Sequence, residues 1–317
     1  MEIPAVAAVV GPTATGKSEV GVEVAGALNG EVVSVDSMQV YRGMDIGTAK
    51  VREHSRYTSS GRYIRHHMLD IIEPTQNYSV ADFQERARSV IDDLLDRRVL
   101  PVLVGGTGLY YHATVREYLF VDNSCNSELR QELFQRAEKE GNESLHRELH
   151  SVDPAAAEKI HVNDTKRIVR ALEVFYSTGE PISRYSENDA RVKYHVAAVG
   201  LRMQRQALYR RIEERVESMF AAGLVEEVRT LLQEGCGPGY SAMQALGYKE
   251  VIGYLKGNYD LETCKLLLKK NTRRFAKRQL TWFRRDNNIK WFDVDGFSDV
   301  HSLVEAIVCH IKDRLQI

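Results

Sequence analysis

Cysteine is scarce and scattered. The 317-residue chain holds four, Cys125, Cys236, Cys264 and Cys309, and none forms a C-x-x-C pair. That excludes a zinc-ribbon pattern and a disulfide framework, and it fits a reducing cytosol. No apolar run approaches the length of a membrane span. The apolar start "MEIPAVAAVVG" lacks a basic leader and a cleavage site, so it reads as a first strand rather than an export signal. Neither sign of charge dominates. Lys+Arg number 43 against 44 Asp+Glu, so the whole-chain balance offers no argument for nucleic acid. Internal repeats and low-complexity tracts are lacking too. The expectation is a soluble cytoplasmic protein of one large domain or two, long enough to bury a sizeable core.

What is present begins with alternation. "AVAAVV" (5–10), "EVVSVD" (31–36), "HHMLDII" (66–72) and "LPVLVGG" (100–106) are apolar runs of the kind buried on both faces of a sheet. Between them, 17–28 and 79–98 carry helical spacing, the second opening on a Ser79 cap with Asp82 three residues on. Alternating strands and helices, with the G-x-x-x-x-G-K-[ST] stretch "GPTATGKS" (11–18) between the first strand and the first helix, predict an α/β fold: a parallel sheet flanked by helices, of the P-loop NTPase-like kind. From about residue 123 the texture becomes charged, amphipathic and strand-free. The organisation expected is a core of residues 1–122 and 194–317 with a helical insertion over 123–193. "YHVAAVGLRM" (194–203) and "IKWFDVD" (289–295) read as further strands, and 298–315 as a closing helix.

"GPTATGKS" fits G-x-x-x-x-G-K-[ST] and lies between a strand and a helix, the context the motif requires. Backbone amides of Gly11, Pro12, Thr13, Ala14, Thr15, Gly16, Lys17 and Ser18 are expected to curl around a phosphate, Pro12 contributing shape since it lacks the N–H. Lys17 neutralises the anion, and the Ser18 hydroxyl is placed to ligate Mg2+. Phosphoryl-transfer enzymes usually place a magnesium-binding aspartate at the end of an apolar strand. Here "LPVLVGGTG" ends in glycines instead, and the carboxylate is Asp36, at the tip of the second strand. In a parallel sheet that edge is shared with the phosphate loop, where ligands bind. Asp36 is thus placed to act on a substrate beside a bound diphosphate, the alternative being a turn-capping aspartate.

"LLLKKNTRRFAKRQLTWFRR" (266–285) carries eight Lys and Arg and no acid. On a helix, positions 270, 274, 277, 278, 281 and 285 share a face, with aromatics among them. This is the footprint of a polyanion, with planes for stacking on unpaired bases; the alternative is a solvated face. A smaller basic group, Lys166, Arg167 and Arg170, falls in the insertion.

Taken together, "GPTATGKS", "DSMQVYRGMDIGTAK", "GGTGLYYHA", "NDTKRIVRALEVF", "SAMQALGYKE" and "KRQLTWFRR" resemble the bacterial tRNA dimethylallyltransferases (tRNA isopentenyltransferases), in order and over nearly the whole chain. The resemblance implies transfer of a dimethylallyl group from dimethylallyl diphosphate to N6 of the adenosine 3′ of the anticodon, with release of pyrophosphate. It implies Asp36 as general base, Thr107 in the same channel, and Arg211, in "LYRRIEERV", beside the leaving group. It implies a monomer whose partners are the donor and the anticodon stem-loop of tRNA, with no membrane. Contacts to tRNA are carried over at Asp36, Ser37, Met38, Gln39, Thr107 and Arg130, and at Lys166, Arg167, Ile168, Val169 and Arg170. Further along they fall at Met243, Gln244, Ala245, Leu246, Gly247 and Tyr248. The last set is Lys277, Arg278, Gln279, Leu280, Thr281, Trp282, Phe283 and Arg284. Residues 115–130 lack the glycine- and proline-containing loop of the family, and the chain ends without the zinc extension of eukaryotic members, as in the bacterial type. Competing readings are an adenylate isopentenyltransferase using a free nucleotide, a P-loop small-molecule kinase, and a non-catalytic RNA-binding protein.

Overall fold

A computed structural model describes residues 3–117, 120, 127–185 and 192–317. The described residues form two compact units, one of 1–115 with 193–317 and one of 116–192. The break therefore follows Val115; the boundary expected at 122/123, and Cys125 with it, lies outside the described residues. No described helix is long and apolar enough to cross a membrane.

The larger unit is built on a six-stranded sheet of order β3-β2-β4-β1-β5-β6, with every pairing parallel. Its strands are β1 (Ala5–Val10), β2 (Gly30–Ser34), β3 (His66–His67), β4 (Leu100–Gly105), β5 (His195–Arg202) and β6 (Ile289–Asp293). β1 is apolar at every position because both faces are covered. Val6, Ala8 and Val10 enter one core and Ala7 and Val9 the other. On the second face lie α1 (Lys17–Ala27) and, at the end of the chain, a helix over Val300–Leu315.

The strand expected over 66–72 is cut to two residues. Met68 and Asp70 turn into the left-handed region (φ 64° and 53°), which ends the pairing with β2. The half-buried segment from Tyr41 to Asp70 is held instead by Lys50, whose ammonium donates to Tyr41 O at 2.8 Å and Asp45 Oδ1 at 2.6 Å and also reaches Asp70. α2 (Val80–Asp96) begins at Ser79 with a reciprocal capping box: Asp82 N donates to Ser79 Oγ, and Ser79 N donates to Asp82 Oδ2 at 2.8 Å. α3 (Gly108–Val115) follows β4 after the "GGT" turn.

The smaller unit contains α4 (Ser127–Glu140), α5 (Asn142–Val152), α6 (Pro154–Lys159) and α7 (Thr165–Thr178). Their apolar stripes meet in one core that includes Leu133, Leu145, Leu149, Ile168 and Leu172. Within it, Glu173 is buried and accepts from Arg130 at 2.8 Å and from Arg170 at 3.0 Å. Those two guanidiniums hold its pKa below the ordinary carboxylate value despite the burial that opposes it.

Back in the larger unit, α8 (Arg205–Ala221), α9 (Leu224–Gln233), α10 (Tyr248–Leu255) and α11 (Leu261–Phe283) run between β5 and β6 and cover the first face, and Val300–Leu315 is α12. α11 carries the basic stretch.

Candidate active site

The phosphate loop leaves β1 at Gly11 and enters α1 at Lys17. A side chain at Gly11, where φ is 138°, would meet Leu201 O at 2.5 Å, so the loop needs glycine to pass β5. Thr15 Oγ1 donates to Pro12 O at 2.9 Å, and Lys17 Nζ donates to the same carbonyl at 2.8 Å. A cavity of about 310 Å3 lies at the carboxyl edge of the sheet, lined among others by Thr13, Lys17, Ser18, Asp36, Thr107 and Arg215. The loop and the strand-tip aspartate are therefore in one site.

Two cations set its electrostatics. Burial pushes the Lys17 ammonium down to about 7, with Arg215 adding to the fall and Asp36 opposing it. Burial also lowers Arg215, again opposed by Asp36. Two desolvated cations facing one carboxylate leave a local excess of positive charge, the electrostatics of an anion-binding site. Ser18 lines the same cavity and its hydroxyl has no hydrogen-bond partner among the described residues, so it is free to serve as one ligand of a magnesium ion.

Asp36 caps a turn with one carboxylate oxygen and leaves the other without a hydrogen bond. Oδ1 accepts from Met38 N at 2.9 Å and Gln39 N at 3.3 Å, capping the turn. Oδ2 has no hydrogen-bond partner among the described residues and belongs to a side chain that lines the cavity. Thr107 acts on the same turn: its Oγ1 accepts from Ser37 N at 3.1 Å and donates to Ser37 Oγ at 3.3 Å.

The arginine singled out by sequence stands beside the phosphate loop but does not line the cavity. Arg211 is exposed, and a Cβ on Gly16 would lie 3.8 Å from its guanidinium. Arg215, one turn further along, is the arginine of α8 that lines the cavity. The signal for it was present in "RRIEERV", where Arg211 and Arg215 are spaced i, i+4 on one helix face.

Several residues carried over as RNA contacts are interior. Ile168, Val169, Met243, Tyr248 and Phe283 are all within 1 % of fully buried, and Ala245 and Gln279 are only 6 % exposed. Their side chains pack the fold and hold neighbouring positions, which is not the role expected for them. Gln279 ties α11 to two loops: its Oε1 accepts from Thr13 N at 2.8 Å and its Nε2 donates to Gly106 O at 2.8 Å. Trp282 lies over Gly108, where an added Cβ would come within 2.1 Å of the ring. Gly247, at φ 95°, turns the chain into α10, and Leu280 is half-buried. Arg130 and Arg170 are engaged by Glu173.

The exposed members are Lys166 and Arg167 in the smaller unit and Gln244, Lys277, Arg278, Thr281 and Arg284 in the larger. The basic stretch is also less uncompensated than its sequence implies. Acids from α8 meet its first half, with Lys269 2.5 Å from Glu217 and Arg273 2.7 Å from Glu213. Lys270, Arg274, Lys277, Arg278, Arg284 and Arg285 remain exposed without a carboxylate partner among the described residues. Arg278 lies over the Phe275 ring, 5.7 Å from its centroid, and both line the cavity.

One residue had no sequence signal. Glu227 on α9 accepts from the backbone N–H groups of Asp45, Ile46 and Gly47 at 2.7–3.1 Å and from Tyr248 Oη at 2.6 Å. It fixes the segment whose Gly47, Thr48 and Ala49 wall the cavity.

Residues 39–286 match the IPP transferase family. The tRNA dimethylallyltransferase of Moorella thermoacetica is 52% identical over 317 residues, covering 98% of this chain and 96% of that protein. That of Heliobacterium modesticaldum is 51% identical over 309 residues, covering 97% and 95%. Among solved structures, the full-length tRNA isopentenylpyrophosphate transferase of Bacillus halodurans superposes with TM-score 0.71 at 41% identity, covering 99% of each chain. A eukaryotic dimethylallyltransferase acting on tRNA superposes at 0.75 with 28% identity, covering 92% of this chain and 74% of that one. With the phosphate loop, the strand-tip aspartate and the glycine-ended fourth strand sharing one cavity, this chain belongs to the IPP transferase family, that of the tRNA dimethylallyltransferases.

Proposed function

We propose that this chain transfers the dimethylallyl group of dimethylallyl diphosphate to N6 of the adenosine 3′ of the anticodon in tRNA, releasing pyrophosphate. The observation that carries the reading is one cavity in which Lys17, Arg215 and the phosphate loop face Asp36. Nothing is phosphorylated in such a reaction, which accounts for a fourth strand that ends in glycines where kinases carry a metal-binding aspartate.

The chemistry follows from the residues. The amine nitrogen forms a bond to C1 of the allyl group as the C1–O bond to the diphosphate breaks. Charge builds on the departing pyrophosphate, and Lys17, Arg215 and the loop amides stabilise it there. Thr13 N–H is already bonded to Gln279, so it shapes the loop more than it binds the anion. Magnesium held through Ser18 would add Lewis-acid stabilisation of the same leaving group. The adenine amine is a poor nucleophile because its lone pair is delocalised into the ring, and Asp36 takes the proton that N6 loses. Thr107 keeps the turn after Asp36 in register through Ser37. The adenosine has to leave its stack to reach this depth, as bases do in other base-modifying enzymes. The unpaired cations of α11, with Lys166 and Arg167, are the groups that hold the RNA by its phosphates. The enzyme works as a cytoplasmic monomer in this reading.

The test is mass spectrometry of total tRNA from cells with and without the gene, paired with purified protein, dimethylallyl diphosphate and either tRNA or AMP. Isopentenylated adenosine in tRNA, dependent on the gene, is the expected result. Transfer to AMP with none to tRNA would move the assignment to an adenylate isopentenyltransferase.

A further inference from the structure

Glu173 ends a line of charges on α7. Lys166, Arg170 and Glu173 are spaced i, i+4, i+7 and so share one side of the helix. The line runs from an exposed ammonium to a half-exposed guanidinium to a carboxylate whose side chain is only 2 % exposed. Arg130, on α4, reaches the same carboxylate with 37 % of its side chain still exposed, against 40 % for Arg170. One oxygen takes every bond. Oε2 accepts from Arg130 Nε at 3.2 Å and Nη2 at 2.8 Å, and from Arg170 Nη1 at 3.0 Å. Oε1 is buried with no hydrogen-bond partner among the described residues.

Neither arginine can swing away cheaply. Taking one partner from a buried ion pair leaves charge uncompensated in the interior, which outweighs the rotamer freedom that a loose arginine regains. Both guanidiniums are therefore pinned, and sharing one oxygen sets them side by side. Two cations against one carboxylate leave an excess of positive charge, to which Lys166 adds one turn away. Arg130 Nη1 and Arg170 Nε and Nη2 have no hydrogen-bond partner among the described residues, so each arginine keeps donors beyond those given to Glu173. Planar donors fixed in this way suit a phosphate, and side chains already held lose less freedom on binding than loose ones.

We propose that Glu173 is a positioning residue for RNA, holding Arg130 and Arg170 as a preformed pair that clasps one phosphate of the tRNA. This rests on the tRNA reading above and concerns only how the smaller unit grips that RNA.

The test is tRNA affinity, measured by filter binding with the purified full-length protein and unmodified tRNA. Glu173→Gln keeps the size of the side chain but releases the guanidiniums from their charged anchor, so the Kd should rise roughly tenfold. Tighter binding would overturn the proposal, since it would mean that Glu173 merely neutralises two cations that RNA could otherwise use. In turnover the loss should fall on the KM for tRNA, rather than on kcat or on the KM for dimethylallyl diphosphate. In a protein that already carries Arg130→Ala and Arg170→Ala, adding Glu173→Gln should change the Kd by less than about twofold, because nothing is left to position. An equal loss in both backgrounds overturns the clasp and leaves Glu173 a purely structural group. Arg130→Lys with Arg170→Lys probes the same geometry where the glutamine variant fails to fold. Lysine keeps the charge and loses the fork, so the Kd should again rise roughly tenfold, and an unmoved Kd overturns the clasp. A parent that binds no tRNA at all overturns the tRNA reading itself, an outcome distinct from a tight parent with unmoved variants.

Discussion

Gln279 and Thr13 stand 266 positions apart in the chain and are joined by a 2.8 Å hydrogen bond from the Thr13 N–H to the Gln279 Oε1. The other end of the same carboxamide donates to Gly106 O. One buried side chain of α11 thus joins the phosphate loop to the glycine turn after β4, in the wall of the cavity. Gln279→Ala removes both bonds and leaves a buried carbonyl without a partner, a loss of about 1–3 kcal/mol in stability. Gln279→Glu keeps the acceptor for Thr13 but sets a negative charge beside the loop. Chemical denaturation should register the first loss, and the KM for the donor should rise more in the glutamate variant than in the alanine one. An unchanged donor KM in both would sever the link between this bridge and phosphate binding.

Lys17 makes donor binding depend on pH. Its ammonium sits near pKa 7 in the free protein. A bound diphosphate favours the charged form and raises that value. Between the two values, binding takes up a proton. Affinity is therefore flat with respect to Lys17 below about pH 7 and falls as pH rises above it, by at most about tenfold per unit for one proton. Calorimetry at pH 8 in buffers of different ionisation enthalpy should detect the uptake. Lys17→Arg should abolish it, since a guanidinium stays protonated. Equal enthalpies in all buffers for the parent would contradict the prediction.

Arg215 and Arg211 give a direct comparison on one helix. Arg215→Ala should lower kcat/KM for transfer by about 10²–10³-fold, the usual effect of removing one group that stabilises developing negative charge. Arg211→Ala, at an exposed position outside the cavity lining, should cost less than about tenfold, as expected of an exposed charge. Steady-state kinetics decides between them, and the reverse ranking would restore Arg211 to the leaving group.

Asp36→Asn keeps the Oδ1 that caps the turn at Met38 and Gln39 and removes the ability to take a proton. Single-turnover transfer should drop by roughly 10²–10⁴-fold, while tRNA affinity changes far less. Transfer within a few-fold of the parent at saturating donor and tRNA would leave Asp36 with the capping role alone.

For RNA binding, the pairing of charges on α11 predicts which ones count. Alanine at Lys277, Arg278 and Arg284 together should weaken tRNA binding and flatten its salt dependence by about 0.7–0.9 in log–log slope for each phosphate left without its cation. Alanine at Lys269 and Arg273, which face Glu217 and Glu213, should leave the slope close to that of the parent. Filter binding from low to moderate salt measures both.

The strands, the long helices and the phosphate loop were legible from sequence because each is a local property of the backbone. Apolar runs bounded by Gly and Pro, a Ser79–Asp82 cap and a glycine at the αL start of α1 act over a few residues, wherever the segment ends up. β3 was overread for the same reason: "HHMLDII" is apolar enough for a strand, but Met68 and Asp70 take left-handed backbone under the hold of Lys50. The six motifs carried the family as well. Which motif residues face a ligand was a matter of tertiary packing. Arg211 and Arg215 share a helix face, and only the path of α8 past the loop brings the second into the cavity. Gln279, Tyr248 and Phe283 sit in motif segments yet are spent on the interior. The acids that pair with Lys269 and Arg273 of the basic stretch come from α8, with Glu213 60 positions from Arg273. The grip of Glu227 on residues 45–47 spans about 180 positions. Long-range hydrogen bonds and ion pairs of this kind have no periodicity to betray them, because their partners become neighbours only once the sheet has assembled and the helices have packed on it.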